Sequence, residues 1–350
     1  MGKRLEIIDV NERKATGQRE LSIEEKRRRR ERIKARQQAI KRRRRKRLIR
    51  LAGTVICVVL LGVGVSHLDI GKDIAEEVAG SLDGASTDVW NGENGRIEAL
   101  LYDVKYEDFF EKNKPSMLED TEVYRCLKNL AKNYPELETI YERREEYPVN
   151  LLASLCNNPE MMEYVKGYLS YEAGETSGKV ELTKEEKEQK YPLFLQWDKR
   201  WGYEAYGDFN IALSGCGPTT VAMAAVALTD DNTITPDRVA EYSMENGHYV
   251  EGTGTAWSLM TDGCENFGIR AKEIALDELV MKNQLDDGKV IICSMRKGDF
   301  TAAGHFVMIF GYNAEGFFIN DPNCIYRSNQ VWAYETLKNQ IRILWAFERK

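Results

Sequence analysis

Gly215-Cys216-Gly217-Pro218, opening the apolar run Thr219-Thr220-Val221-Ala222-Met223-Ala224-Ala225-Val226-Ala227-Leu228, is the stretch on which the reading of this chain turns. The run is long enough and rich enough in alanine to be a buried helix, and Pro218 suits its first turn, where a missing N–H costs nothing. Cys216 therefore falls at a helix N-terminus. Unpaired backbone N–H groups and the positive end of the helix dipole there favour thiolate over thiol, the form a sulfur nucleophile requires. The flanking glycines are expected to let a substrate backbone come close to the sulfur.

Downstream, residues 236–246 and 257–267 read as mostly helical, followed by strand candidates at 269–274, 290–295, 305–312 and 316–322. The last two are joined by Asn313-Ala314-Glu315-Gly316 and read as a hairpin, and 342–347 as a closing strand. Helix first and antiparallel strands later is an α+β arrangement. A thiol nucleophile needs a base to take its proton, and the base needs a third group to fix its tautomer. The hairpin supplies both. His305 enters the first strand after Gly304 and Asp321 ends the second, so antiparallel pairing returns the carboxylate to the neighbourhood of the imidazole. His248, within Glu245-Asn246-Gly247-His248-Tyr249, lies in a turn-like setting and reads as a surface residue. Cys293 and Cys57 read as buried apolar residues, and a bridge between Cys264 and Cys324 has no support in the spacing.

These elements, over residues 191–350, resemble the papain-like cysteine peptidases, specifically the bacteriocin-processing (double-glycine leader) group and its stand-alone relatives. The resemblance rests on Gln196 in Tyr191-Pro192-Leu193-Phe194-Leu195-Gln196-Trp197-Asp198, then on Ser214-Gly215-Cys216-Gly217-Pro218-Thr219. Gly304-His305-Phe306-Val307 with Gly311-Tyr312, and Asn320-Asp321-Pro322, complete it. It implies a papain-like fold, with a helical part carrying the catalytic cysteine and a C-terminal antiparallel sheet. It also implies Cys216 as nucleophile, His305 as general base and later acid, Asp321 as the orienting residue and Gln196 as an oxyanion donor with the Cys216 backbone N–H. Peptidases of this group are commonly fused to a transporter. Here Gly174-Glu175-Thr176-Ser177-Gly178-Lys179 has only three residues between its glycines and Val180 after the lysine, so it is no phosphate loop. Leader removal coupled to export within this polypeptide is therefore not expected.

The rest of the chain gives the domain its setting. Residues 1–50 hold 21 Lys+Arg against 7 Asp+Glu, a balance of +14, which leaves 29 against 49 (−20) for the remainder. The arginine runs alone would suggest nucleic acid. The eighteen residues 51–68, without a formal charge, decide otherwise. A helix of that length spans roughly 27 Å and reads as one transmembrane segment, and the one-sided basic charge keeps the N-terminus cytoplasmic, in contact with anionic lipid, and everything beyond residue 69 outside. Residues 69–96 read as a flexible tether. Residues 97–190 read as a small all-α subdomain and linker, its helices broken at prolines 115, 135, 148 and 159, serving as a spacer packed against the C-terminal domain or as a partner-binding unit. With three histidines and no Cys-x-x-Cys, no metal site is expected, nor any cofactor or nucleic-acid partner. The expected protein is a single-pass, extracytoplasmic cysteine peptidase of the cell membrane, acting on a peptide or protein substrate. A cell-wall peptide hydrolase, an acyl or peptidyl transferase, and a non-catalytic peptide-binding module are the alternatives.

Overall fold

In the computed structural model, which describes residues 86–90, 96–100, 105–172 and 180–350, the apolar run forms the helix Cys216–Thr229. Gly217 to Val226 are all buried, as they must be in a helix with no polar stripe. Ala222, Ala224 and Ala225 are wholly buried and let neighbours approach closely. The helix packs against the helix Pro236–Glu245 and against the central sheet. It stops at Asp230, whose left-handed backbone (φ 59°) suits a short side chain that can bond locally.

The sheet is antiparallel throughout. Its strands are β1 (Ser86–Trp90), β2 (Arg96–Leu100), β3 (Ile269–Glu273), β4 (Val290–Arg296), β5 (Gly304–Tyr312), β6 (Phe317–Asn320), β7 (Val331–Trp332) and β8 (Ile341–Arg349). The order is β7-β6-β5-β4-β8-β3, with β1 joining β2 and touching β5 at Trp90–Tyr312. Side chains of β4 and β5 are buried on both faces, between the core around the cysteine helix and a second core that includes Val307, Ile309 and Leu337. The α+β expectation and the five strand candidates hold. Residues 342–347, expected to close the sheet, instead lie inside it between β4 and β3.

Two further differences stand upstream. Ser86–Trp90 and Arg96–Leu100 pair as a hairpin where the sequence suggested a tether to residue 96 and helical spacing from Ile97. Glycines and asparagines between short segments fit a turn as well as a tether, and each strand is five residues. Beyond them lie the helices Asp120–Asn133, Val149–Asn157 and Met162–Glu172. Pro135 and Pro159 begin short 3-10 turns and Pro148 caps a helix, at the breaks expected. The apolar core of these helices continues into Tyr203 and Ala212 of the following domain. Tyr164, Tyr203 and Tyr171 stack there with ring centroids 4.4 and 4.6 Å apart. The basic segment, the apolar run 51–68 and residues 69–85 lie outside the described residues. Among those described, no helix is long and apolar enough to cross a membrane.

Because the cysteine helix fills its slot with alanine, Ala224→Leu is expected to overpack it and cost about 1–3 kcal/mol. The urea midpoint should fall at unchanged slope, and an unchanged midpoint would mean the slot has spare room.

Candidate active site

The sequence of the hairpin explains how an imidazole and a carboxylate meet. Met295 of β4 faces His305 of β5, which fixes one neighbour of the histidine. Between β5 and β6 the pairing shifts by one residue, from Phe318–Gly311 to Ile319–Ile309. The ladder ends at Asn320–Met308, and Asp321 follows directly at the strand's end, where it meets His305 near the start of β5.

His305 Nε2 donates to Asp321 Oδ1 at 2.7 Å. Nδ1 is then the nitrogen left to exchange a proton with Cys216, whose side chain lies close enough to act on the imidazole through hydrogen bonding and charge. Cys216 is partly exposed at the helix start, His305 is 7% exposed and Asp321 is wholly buried. Burial alone would depress the His305 pKa. The Asp321 charge and hydrogen bond outweigh it, with help from Cys216, and raise the value to about 9. Burial would raise Asp321, but Arg327 and then His305 hold it down at about 2. Stability from the raised histidine is complete below its ordinary 6.5 and is lost as pH rises through about 9. Stability from the depressed aspartate is present above its ordinary 3.8 and is lost as pH falls through about 2.

Gln196 lies on the loop that leads into the domain, and that loop is sewn to the end of β6. Its backbone N–H donates to Pro322 O at 2.7 Å, and Asn320 Nδ2 donates to Tyr191 O and Pro192 O. Gln196 Nε2 donates to Ala212 O, also at 2.7 Å, in the short helix Ile211–Ser214 that precedes Cys216. One amide N–H is thereby used and the second is left. The glycines beside Cys216 have a packing role that the sequence did not reveal. A Cβ on Gly215 would meet Ile211 Cγ2 at 2.5 Å, and one on Gly217 would meet Thr255 Oγ1 at 2.5 Å. His248 is bonded to Ser258 Oγ at 2.8 Å, outside the group formed by Cys216, His305 and Asp321.

Sequence reasoning missed Arg327. Its Nε donates to Asp321 Oδ2 at 2.5 Å from a helical turn, Ile325–Ser328, just after β6. Arg327 is 4% exposed. Its nearness to Asp321 in sequence was the available signal, but a lone arginine after a turn carries no periodicity. A groove of about 460 Å³ between Phe110–Lys114 and the β6–β7 connection shares Arg327 with this group, and no other of its residues.

Cysteine at a helix start, an imidazole and a carboxylate at an antiparallel sheet form an arrangement similar to that of papain-like peptidases. Residues 188–347 match the model of the Peptidase_C39 like family. The peptidase domain of Streptococcus ComA, a bi-functional ABC transporter involved in a quorum sensing pathway, is a similar solved structure. It is 17% identical, spans 42% of this chain and 99% of its own, and has a TM-score of 0.29. No match was found among curated proteins.

If Asp321 is what keeps His305 protonated, Asp321→Asn should drop the imidazole midpoint from about 9 to 6.5 or below, since burial then acts with little opposition. Titration of the 15N-labelled imidazole by NMR reads this, and a midpoint still near 9 in the variant would refute the assignment.

Proposed function

We propose that this chain is a membrane-anchored extracytoplasmic cysteine peptidase working through Cys216, His305 and Asp321. The observation that carries the reading is an imidazole hydrogen-bonded to a wholly buried carboxylate and lying near a helix-start thiol. The Cys216 Sγ thiolate, its proton already held on His305 Nδ1, attacks the carbonyl carbon of a peptide bond. The oxyanion takes hydrogen bonds from the Cys216 backbone N–H, which has no intrahelical acceptor at that position, and from the second N–H of Gln196. The imidazolium gives its proton to the leaving amine, leaving a thioester on Cys216. Water, deprotonated by His305, then releases the acid and restores the thiol.

Anchoring and orientation are supported by the uncharged run 51–68 and the basic residues before it. On this reading the basic tail stays in the cytoplasm against anionic lipid and the domain works outside, on a peptide or protein. An acyl acceptor other than water would use the same thioester.

The leaving amine needs an imidazolium, so peptide cleavage should fall as pH rises through about 9. Alkylation of Cys216, which needs only the thiolate, should not fall with it. Iodoacetamide labelling and a peptide assay run over the same pH range separate the two, and parallel profiles would contradict the acid role of His305. In cells, mass spectrometry of released and wall-associated peptides should lose specific products in Cys216→Ala. Identical profiles from expressing cells would remove the peptidase reading.

A further inference from the structure

The loop that holds the carboxylate of the site is itself gripped from outside the peptidase domain. Asp321 Oδ1 accepts from His305 Nε2 at 2.7 Å and from the Asn323 backbone N–H at 2.8 Å, and Oδ2 accepts from Arg327 Nε at 2.5 Å. The loop 321–328 that supplies two of these donors is gripped by the helical region. Glu160 Oε2 accepts from Ile325 N at 2.8 Å and Oε1 from Tyr326 N at 3.0 Å, the first two residues of the helical turn that bears Arg327. Asn158 caps the 3-10 turn that carries Glu160 and donates to Asn323 O, which also accepts from Trp197 Nε1 at 2.9 Å. Phe110 stacks on Tyr326 with ring centroids 5.0 Å apart. Asn323 is therefore bonded on one side to the catalytic-site carboxylate and on the other to the helical region.

We propose that Arg327, seated by Glu160, is a positioning residue of the site, so that residues 105–172 are a working part of the peptidase rather than a spacer. The proposal rests on the thiol-peptidase reading and assigns to the helical region a task within it. Burial favours this over a purely structural role. Arg327 carries a charge at 4% exposure, and its Nη2 has no partner among the described residues. Glu160 is itself buried deeply enough to raise its pKa, opposed by the two backbone N–H groups and the Arg327 charge. Replacing such buried ion pairs with apolar residues is often neutral or stabilising, so a pair of this kind is a poor device for holding a fold together. What it does supply is direction. The single Nε–H of Arg327 fixes one carboxylate oxygen, which leaves the other aimed at His305 Nε2.

The test uses the full chain, whose only histidines are His67, His248 and His305, labelled with 15N at imidazole. An imidazole N–H donated to a carboxylate resonates far downfield of the backbone amides, and Asp321→Asn assigns that signal to His305. In Arg327→Met and in Glu160→Ala the signal is expected to be lost or broadened by exchange, with partial return in Arg327→Lys. The rate of Cys216 alkylation at pH 6 should fall on the order of tenfold to a hundredfold in the first two. Should Arg327→Met not fold, Glu160→Gln, which keeps one acceptor oxygen for the backbone but no charge, takes its place. A signal and a rate both unchanged in folded variants would overturn the proposal. A signal lost with the alkylation rate unchanged would leave the positioning role standing and sink the thiol-peptidase reading instead.

Discussion

Asp321 is wholly buried and ionised, and the site is arranged around meeting that demand. A carboxylate taken out of water must be given donors at close range or it takes up a proton instead. Here the donors come from separate pieces of chain: an imidazole from β5, a backbone N–H from the turn after β6, and a guanidinium from the helical turn beyond it. Each piece reaches its place only if another part of the fold is already right. The end of β6 delivers Asp321, the pairing of Met295 with His305 sets the imidazole, and Glu160 holds the helical turn. The carboxylate is thus a point at which sheet register, loop geometry and the packing of the helical region are all tested together.

The sulfur is placed by a different kind of constraint. The cysteine helix has no polar face to orient it, so its position is set by close packing alone. The helix start is wedged by two glycines whose missing side chains would strike Ile211 and Thr255. Tyr206, hydrogen-bonded to both Ser243 and Thr255, ties that wedge to the helix Pro236–Glu245. On the proposed reading, rigidity at the sulfur and directed hydrogen bonding at the imidazole are complementary, because a proton moves between them only if neither drifts.

These two halves were unequally legible in the sequence. The cysteine helix could be read because an unbroken alanine-rich run behind Gly-Cys-Gly-Pro has few other conformations, and the hairpin because apolar strands flank a short Asn–Gly turn. His305 and Asp321 followed from the hairpin, which brings the start of β5 and the end of β6 together. The strands at 86–90 and 96–100 could not be read, since five-residue segments beside glycine and asparagine look like linker. Glu160 was out of reach for another reason. Its partners at 325 and 326 lie 165 and 166 residues away, and a glutamate after a proline in a helical stretch is what any solvent-facing turn would show. Likewise the glycines beside Cys216 carried a correct signal of closeness that belonged to Ile211 and Thr255, not only to a substrate.

The difference in legibility has a physical origin that bears on how such a domain is built. Hydrophobic periodicity reports which face of an element is buried, and that information is local. The pairing of buried polar groups is not local, because any donor that folding brings near can satisfy a carboxylate. Here the apolar cores around the cysteine helix and between the helices at 120–172 bring Glu160, Arg327 and Asp321 within reach of one another. The buried charges then favour, among the ways those cores can pack, the arrangement in which His305 Nε2 and Arg327 Nε are aimed at Asp321. The continuity of the helical core into Tyr203 and Ala212 is in that sense part of the site's construction. The same contact surface that buries apolar area also fixes the distance from Glu160 to the loop bearing Arg327, and through it the direction in which Asp321 faces His305.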